Sequence, residues 1–321
     1  MQRRYALSLS NTRDLGGSAN LNLLASSGDC PFVVRVYRSS VTAERVEALQ
    51  HARTLLAAGS VPCAEPVLTV DGASLLAAGG NIVEVEPFVD SDAKMDSLDR
   101  IASGLPMLGR IHHLLSTVDS GHASSSPPYA NYVDCVAVVE STRAGTDRIR
   151  SWAPTRDERD LADAADRLAD AVAQLHVNFG ESPRQLVHGD YWDNNVLFCG
   201  GQVVLVGDLD FMGVRPRIDD LALTLYFTMY ELDDPLGDDG LRRLVQLVNA
   251  YDLGASPRLS TIERAVLPIA IARQPLWSVA IWGAQLDDEE TARRHLRGHL
   301  REVSSALALV AGLPRVQAAL V

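Results

Sequence analysis

The hydrophobic pattern changes character about a quarter of the way along the chain. Up to about residue 88 the apolar positions come in short β-prone runs. Tyr5 to Ser8, Asn20 to Leu24, Phe32 to Tyr37, Val67 to Val70, Ser74 to Ala77 and Ile82 to Glu86 each read as a strand. Gly16-Gly17-Ser18 and Asp71-Gly72 supply turns between them. One helix interrupts the series. Thr42 is its expected N-cap, Val46, Leu49, Leu55 and Leu56 share much of one face, and Gly59 ends it. Beyond Pro87-Phe88 the period becomes helical. Leu98 to Leu115 and Asp157 to His176 are the clearest helices, Gly121 to Pro128 is a loop by composition, and helices dominate from Asp219 onward. Only Gln185 to Phe211 returns to short strands. The pattern predicts an α+β, bilobal protein: a small β-rich lobe over 1–88, a larger and mainly helical lobe over 89–321, and a cleft between them.

Composition narrows the functional classes. The 321 residues are 47% hydrophobic with a net charge of −12, which suits a globular protein and argues against nucleic acid or anionic membrane as a partner. The early sequence lacks a signal-peptide core, the longest apolar runs are too short to span a bilayer, and the four scattered cysteines form no zinc or disulfide pattern, so a cytoplasmic setting is expected. Lys94 is the only lysine.

Candidate chemistry concentrates in Leu186 to Leu197. It reads His188-Gly189-Asp190, four residues, then Asn195, running into an apolar segment. Asp208 follows the run Val203 to Gly207, and Asp220-Leu221-Ala222 comes twelve residues later. Phosphoryl transfer requires this kind of set. One carboxylate orients the acceptor hydroxyl and takes its proton, while a second carboxylate and an amide oxygen hold Mg²⁺ against the phosphates. Asp190, Asn195 and Asp208 suit those roles in turn, and Gly207 would let the backbone turn beside Asp208.

These residues resemble the aminoglycoside phosphotransferase and choline kinase group, which shares the protein-kinase-like fold. The resemblance lies in H-G-D-x4-N, a later strand ending in Asp, and D-L-A, seen here as His188 to Asn195, Gly207-Asp208 and Asp220 to Ala222. It implies that Asp190 is the catalytic base or orienting group and that Asn195 and Asp208 bind magnesium. His188 is expected to brace the loop and Asp220 to anchor it to a helix N-terminus. Asp210 either assists the metal or bonds within the loop. More loosely, Leu15 to Asn20 resembles the family's nucleotide-covering turn, with Gly16, Gly17 and Ser18. Arg35 stands where the family usually has a phosphate-binding lysine, with Glu47 as its expected ion-pair partner and Glu44 as the alternative. Glu84 to Phe88 resembles the hinge that meets adenine, so Glu86 and Phe88 join the nucleotide set. Walker A, H-R-D and A-P-E patterns are absent, which favours a small-molecule acceptor over a polypeptide.

The resemblance implies an ATP- or GTP-dependent kinase acting on a hydroxyl. An antibiotic acceptor is expected, from the arginine- and alanine-rich composition. A metabolic alcohol such as homoserine, choline or a thiosugar is the alternative, and a catalytically silent nucleotide-binding regulator is a reading of another class. Candidate acceptor residues are Glu231, Asp234, Gln274, Trp277 and Trp282, because carboxylates suit an amine and tryptophans a sugar face or a quaternary amine. A loop around 233–240 and a core role for the tryptophans remain open beside this.

Overall fold

The computed structural model describes residues 2–17, 20–118, 121, 125, 127, 130–177, 183–229 and 234–321. After a helical turn, α1 (Gln2–Tyr5), five strands form one antiparallel sheet in the order β1-β2-β3-β5-β4. They are β1 (Ser10–Asp14), β2 (Leu21–Ser27), β3 (Cys30–Val36), β4 (Leu76–Ala78) and β5 (Asn81–Pro87). Register explains the two faces. Val34 lies opposite Val85, and Val36 opposite Val83, on the face that buries a small core with Tyr5 and Ala25. Arg35 lies opposite Glu84, and Val33 opposite Glu86, on the other face. That face looks toward α2 (Ala43–Ala58), whose Thr42 cap accepts from the Arg45 N–H. The helix buries Leu49, Ala52 and Leu56 in the main core of the helical lobe. Its Arg53 instead ion-pairs with Glu84 and, at 2.8 Å, with Glu86.

Two expected strands, Tyr5 to Ser8 and Val67 to Val70, do not form. Tyr5 ends a helical turn rather than starting a strand; its ring is buried and its hydroxyl donates to the Val83 carbonyl at 3.4 Å. Asp71-Gly72 does turn, with the Gly72 N–H on the Thr69 carbonyl at 2.9 Å, but Val67 to Val70 is not a strand, and the strand expected over Ser74 to Ala77 begins only at Leu76. The Asp71 carboxylate is taken by Thr69 at 2.7 Å and by Arg4 at 2.8 Å, which holds a compact loop. The hairpin uses Gly79-Gly80, both at positive φ, between β4 and β5.

The chain then crosses into the helical lobe. There β6 (Ala93–Met95) pairs with β8 (Asp193–Cys199), which pairs with β9 (Gln202–Val206). A second small sheet joins β7 (Arg184–Val187) to β10 (Gly213–Pro216). Around them stand α3 (Leu98–Leu115), α4 (Val138–Ser151), α5 (Arg156–Val177), α6 (Arg217–Met229), α7 (Asp238–Gly254) and α8 (Thr261–Arg273). A short α9 (Leu276–Ser278) runs into a π-turn at Val279–Gly283, and α10 (Glu289–Leu296), α11 (His299–Ala311) and α12 (Leu313–Leu320) complete the lobe. The sequence pattern missed α4, because few of its residues are apolar; it buries Val138, Thr142, Gly145, Thr146 and Ile149. Among the described residues, no single helix is long and apolar enough to cross a membrane. The four cysteines are free thiols.

Candidate active site

A cavity of about 590 Å³ separates the lobes. From the sheet it is lined by Gly16, Gly17, Arg35, Glu86 and Phe88, and from the helical lobe by Asp190, Asn195, Asp208 and Asp210. The structure thus brings Asp190, Asn195 and Asp208 onto one cleft with Gly16, Gly17, Arg35, Glu86 and Phe88, but not Glu47. Ser18 and Glu231 lie outside the described residues.

The loop is shaped by its polar groups. Gly189 has φ +87°, and a Cβ there would lie 2.3 Å from the Phe211 carbonyl oxygen, so only glycine fits. Its N–H donates to Asp220 Oδ1 at 3.0 Å, from the first turn of α6. Asp220 Oδ2 meets His112 Nε2 at 3.0 Å, and His112 Nδ1 meets the Tyr251 hydroxyl at 2.7 Å. Burial would raise the Asp220 carboxyl, but the hydrogen bond with His112 and the charge of Arg215 hold it below its ordinary range. His188 is fully buried. Its Nε2 sits 3.0 Å from the Gly207 carbonyl, which only accepts, so Nε2 carries the proton and Nδ1 accepts from the Asp190 N–H at 3.2 Å. Burial pushes its pKa down, so the ring is neutral.

Three N–H donors converge on the Asp190 carboxylate. Asn131 Nδ2 at 2.6 Å and Trp192 Nε1 at 3.1 Å donate to Oδ1, and Asn195 Nδ2 donates to Oδ2 at 2.8 Å. Because Asn195 spends its amino group on Asp190, its Oδ1 is turned the other way. Burial pushes Asp190 up to about 7, and the negative Asp208 adds to the rise, against the pull of the two asparagines.

Asp208 follows β9, and the Gly207 N–H donates to the Asn195 carbonyl at 2.9 Å, which sets the two candidate ligands side by side. The turn differs from the expected one. Asp208 itself takes the left-handed conformation, φ 56° and ψ 61°, whereas a Cβ on Gly207 would meet nothing closer than Leu205 at 3.9 Å. Asp210 bonds across the lobes, to Asn20 Nδ2 and to Arg35 Nη1 at 3.3 Å. Burial, then the charge of Asp208, pushes it up to about 7.

Arg35 also differs from expectation. Its guanidinium meets Asp208 at 3.4 Å, Asp210 at 3.3 Å and Glu86 at 4.0 Å. Glu47 is exposed on α2 and forms no ion pair with Arg35, because its position on the helix turns away from the sheet face. The face that does meet the sheet carries Gln50 and Arg53, so α2 supplies the cation and β5 the carboxylates. Arg45, also on α2, donates to the carbonyl of Met212 at 2.6 Å and that of Asp210 at 3.1 Å, bracing the loop that bears Asp208. The sole lysine, Lys94, pairs with Asp193 at 2.8 Å.

The remaining acceptor candidates are not on this cavity. Asp234 lines a separate depression with Leu98 and Arg242, and accepts from the Gly237 N–H at 2.9 Å, a loop cap. Gln274 is buried and donates to the Ala270 carbonyl at 3.0 Å. Trp277 packs edge-on against Trp282, ring centroids 4.5 Å apart. Sequence reasoning missed Asn131 and Trp192 as partners of Asp190. Trp192 lay inside the motif; Asn131, 59 positions away, had no local signal.

Comparison with known proteins finds a family and relatives that cover most of the chain. A profile described as the Phosphotransferase enzyme family matches residues 11–253. A homoserine kinase of Caulobacter vibrioides is 26% identical over 281 residues, covering 84% of this chain and 80% of its own. Among solved structures, an amicoumacin kinase bound to AMP-PNP and Ca²⁺ aligns with a TM-score of 0.67 at 13% identity, over 95% of this chain and 91% of its own. A microcompartment-associated aminopropanol kinase aligns with a TM-score of 0.67 at 18% identity, over 97% and 94%.

Proposed function

Because the chain belongs to the phosphotransferase enzyme family, we propose that it moves the γ-phosphoryl group of a magnesium-bound nucleoside triphosphate to a hydroxyl of a small amino alcohol. Asp190 is the base or orienting group, and Asn195 and Asp208 are the metal ligands. The observation that carries this reading is Asp190 itself: a half-buried carboxylate, fixed by three N–H donors, on the same cleft as Asn195, Asp208 and Arg35.

The donor set fits magnesium. Asn195 turns its amide oxygen away from Asp190, and Asp208 keeps its side chain 40% exposed, so both offer hard oxygens. Among the described residues no cluster of three or more His, Cys, Asp or Glu is arranged to hold a metal. The remaining ligands would be nucleotide phosphates and water, as magnesium prefers. Bound there, the ion would neutralise charge on the transferred group.

The chain's own residues do the rest. With the lobes dividing at residues 88–89, the nucleotide would lie against Gly16-Gly17 and the Glu86-to-Phe88 segment, which line the cavity. Arg35 presents a guanidinium that leaves its carboxylates for phosphate oxygens, with the bidentate geometry that a lysine lacks. Asp190 accepts the hydroxyl proton. Its pKa of about 7 matches a base working near neutral pH.

For the acceptor, sequence similarity to homoserine kinase across most of both chains supports the metabolic alcohol over the antibiotic. A coupled nucleotide-consumption assay with Mg²⁺ and ATP or GTP tests the whole reading, run across L-homoserine, aminopropanol, choline, thiosugars and aminoglycosides. The expected product is one phosphoryl group heavier than L-homoserine or a related amino alcohol. Transfer to an antibiotic alone would refute the acceptor assignment, and nucleotide binding with no transfer to any acceptor would favour a silent regulator.

A further inference from the structure

Asp190 has two oxygens, and the structure treats them differently. An ionised carboxylate oxygen accepts about two hydrogen bonds. Oδ1 already has two, from Asn131 Nδ2 at 2.6 Å and Trp192 Nε1 at 3.1 Å. Oδ2 has one, from Asn195 Nδ2 at 2.8 Å. Resting on the kinase reading above, we propose that Asn131 is a positioning residue: with Trp192 it closes Oδ1, so that Oδ2 alone receives the acceptor's proton.

The step balances as follows. The acceptor O–H bond breaks, and its proton goes to Asp190 Oδ2. The acceptor oxygen bonds to the γ-phosphorus while the bond to the β–γ bridging oxygen breaks, and that electron pair leaves with the nucleoside diphosphate. A carboxylate free to rotate would present either oxygen; one held at Oδ1 presents a single lone pair in a fixed direction, the geometry on which such catalysis depends.

Asn131 is built for this. It lies outside the H-G-D-x4-N loop, is buried to 7% exposure, and makes its contact across 59 positions of sequence. Its amide orientation follows from the chemistry, since only the amino group can face a carboxylate. Its backbone is held through its neighbour. The Tyr132 ring lies under two guanidiniums, Arg215 at 4.4 Å and Arg273 at 5.8 Å, and its hydroxyl donates to Asp134 Oδ2 at 3.0 Å. Arg184 holds Asp134 in turn, at 3.2 Å. The segment after residue 130 is thus clamped to β7, β10 and α8, and Asn131 projects from it onto the base.

Two readouts test the role. The first needs no acceptor. In a ¹H–¹⁵N spectrum at about pH 8 the four tryptophans give four indole N–H signals, and Trp192 is identified by its loss in Trp192→Phe. Asn131→Ala removes the second donor from Oδ1, so the Trp192 bond tightens and its signal moves downfield. The second readout is turnover. Asn131→Ala should lower kcat about 10- to 100-fold, as misplacement of a reacting group does, with KM and Kd for Mg·ATP unchanged; Asn131→Gln, which keeps the amide, should recover part of it. Turnover is followed on the phosphorylated acceptor, or as slow ADP release to water. Should Asn131→Ala not fold, Asn131→Leu keeps the shape without the donor and gives the same reading. An unmoved Trp192 signal, an unchanged kcat, or a loss explained by weaker Mg·ATP binding would overturn the proposal. Asp190→Ala, run in parallel, separates the two levels. If it retains activity, the base assignment itself falls; if it is inactive while Asn131→Ala is not, only the positioning role falls.

Discussion

Replacing Asp190 by asparagine should abolish transfer and yet stabilise the fold above neutral pH. The native carboxyl is pushed up to about 7, chiefly by burial, against an ordinary value of about 3.9 in the unfolded chain. A raised carboxyl holds its proton more tightly when folded. Its contribution to stability is therefore complete below about pH 4 and is lost as pH rises through about 7. Between pH 5 and full ionisation about two pH units are crossed, worth ~2.7 kcal/mol at 1.36 kcal/mol per unit. Partial solvent access to the carboxyl halves that to ~1.4 kcal/mol. For 321 residues the unfolding entropy is about 0.67 kcal/mol/K, so the shift in Tm is ~2 °C. Asparagine fits the site: its carbonyl oxygen keeps the Asn131 and Trp192 donors, and Asn195 turns its amide to meet the new amino group. The assay is thermal denaturation of both proteins by circular dichroism at pH 5 and pH 8, without nucleotide. The difference in Tm, variant minus wild type, should be ~2 °C larger at pH 8. A difference independent of pH would show that Asp190 titrates as an ordinary carboxylate and would refute the reasoning.

Three further outcomes follow from the same geometry. Asp208→Asn removes a proposed metal ligand and the charge that helps raise Asp190, so calorimetry should show Mg²⁺-dependent nucleotide binding at least about 10-fold weaker, and the acid limb of any residual activity should move to lower pH. Arg53→Met leaves Glu84, fully buried, and Glu86 without their shared cation; urea unfolding should show a loss of about 3–5 kcal/mol. Gly189→Ala forces a Cβ to within 2.3 Å of the Phe211 carbonyl at φ +87°, and should cost about 1–3 kcal/mol in stability together with most of the activity; wild-type kcat would show that the loop relaxes freely.

Local pattern was enough for much of this protein. The helix Leu98–Leu115 and the Thr42 cap follow from apolar spacing and capping chemistry that act within a few residues. His188, Asp190, Asn195 and Asp208 stand out because phosphoryl transfer asks for those groups on one loop and the adjoining strand. The misplaced elements are those where distant contacts outweighed local preference: Tyr5, drawn into the small core, and Asp71, captured by Arg4. Electrostatic partners were the least legible. The family resemblance offered Glu47 to Arg35, but which side of a helix meets a sheet depends on packing, and Leu49, Ala52 and Leu56 turned Arg53 inward. Asn131 shows the same limit at Asp190, the proposed base. The sequence by itself determined the chemistry of the loop, because its reactive groups are neighbours along the chain. Only the tertiary structure decided how Asp190 is held and how its proton affinity is raised, because burial, the charge of Asp208 and a donor from 59 positions away exist only once the lobes have closed around it.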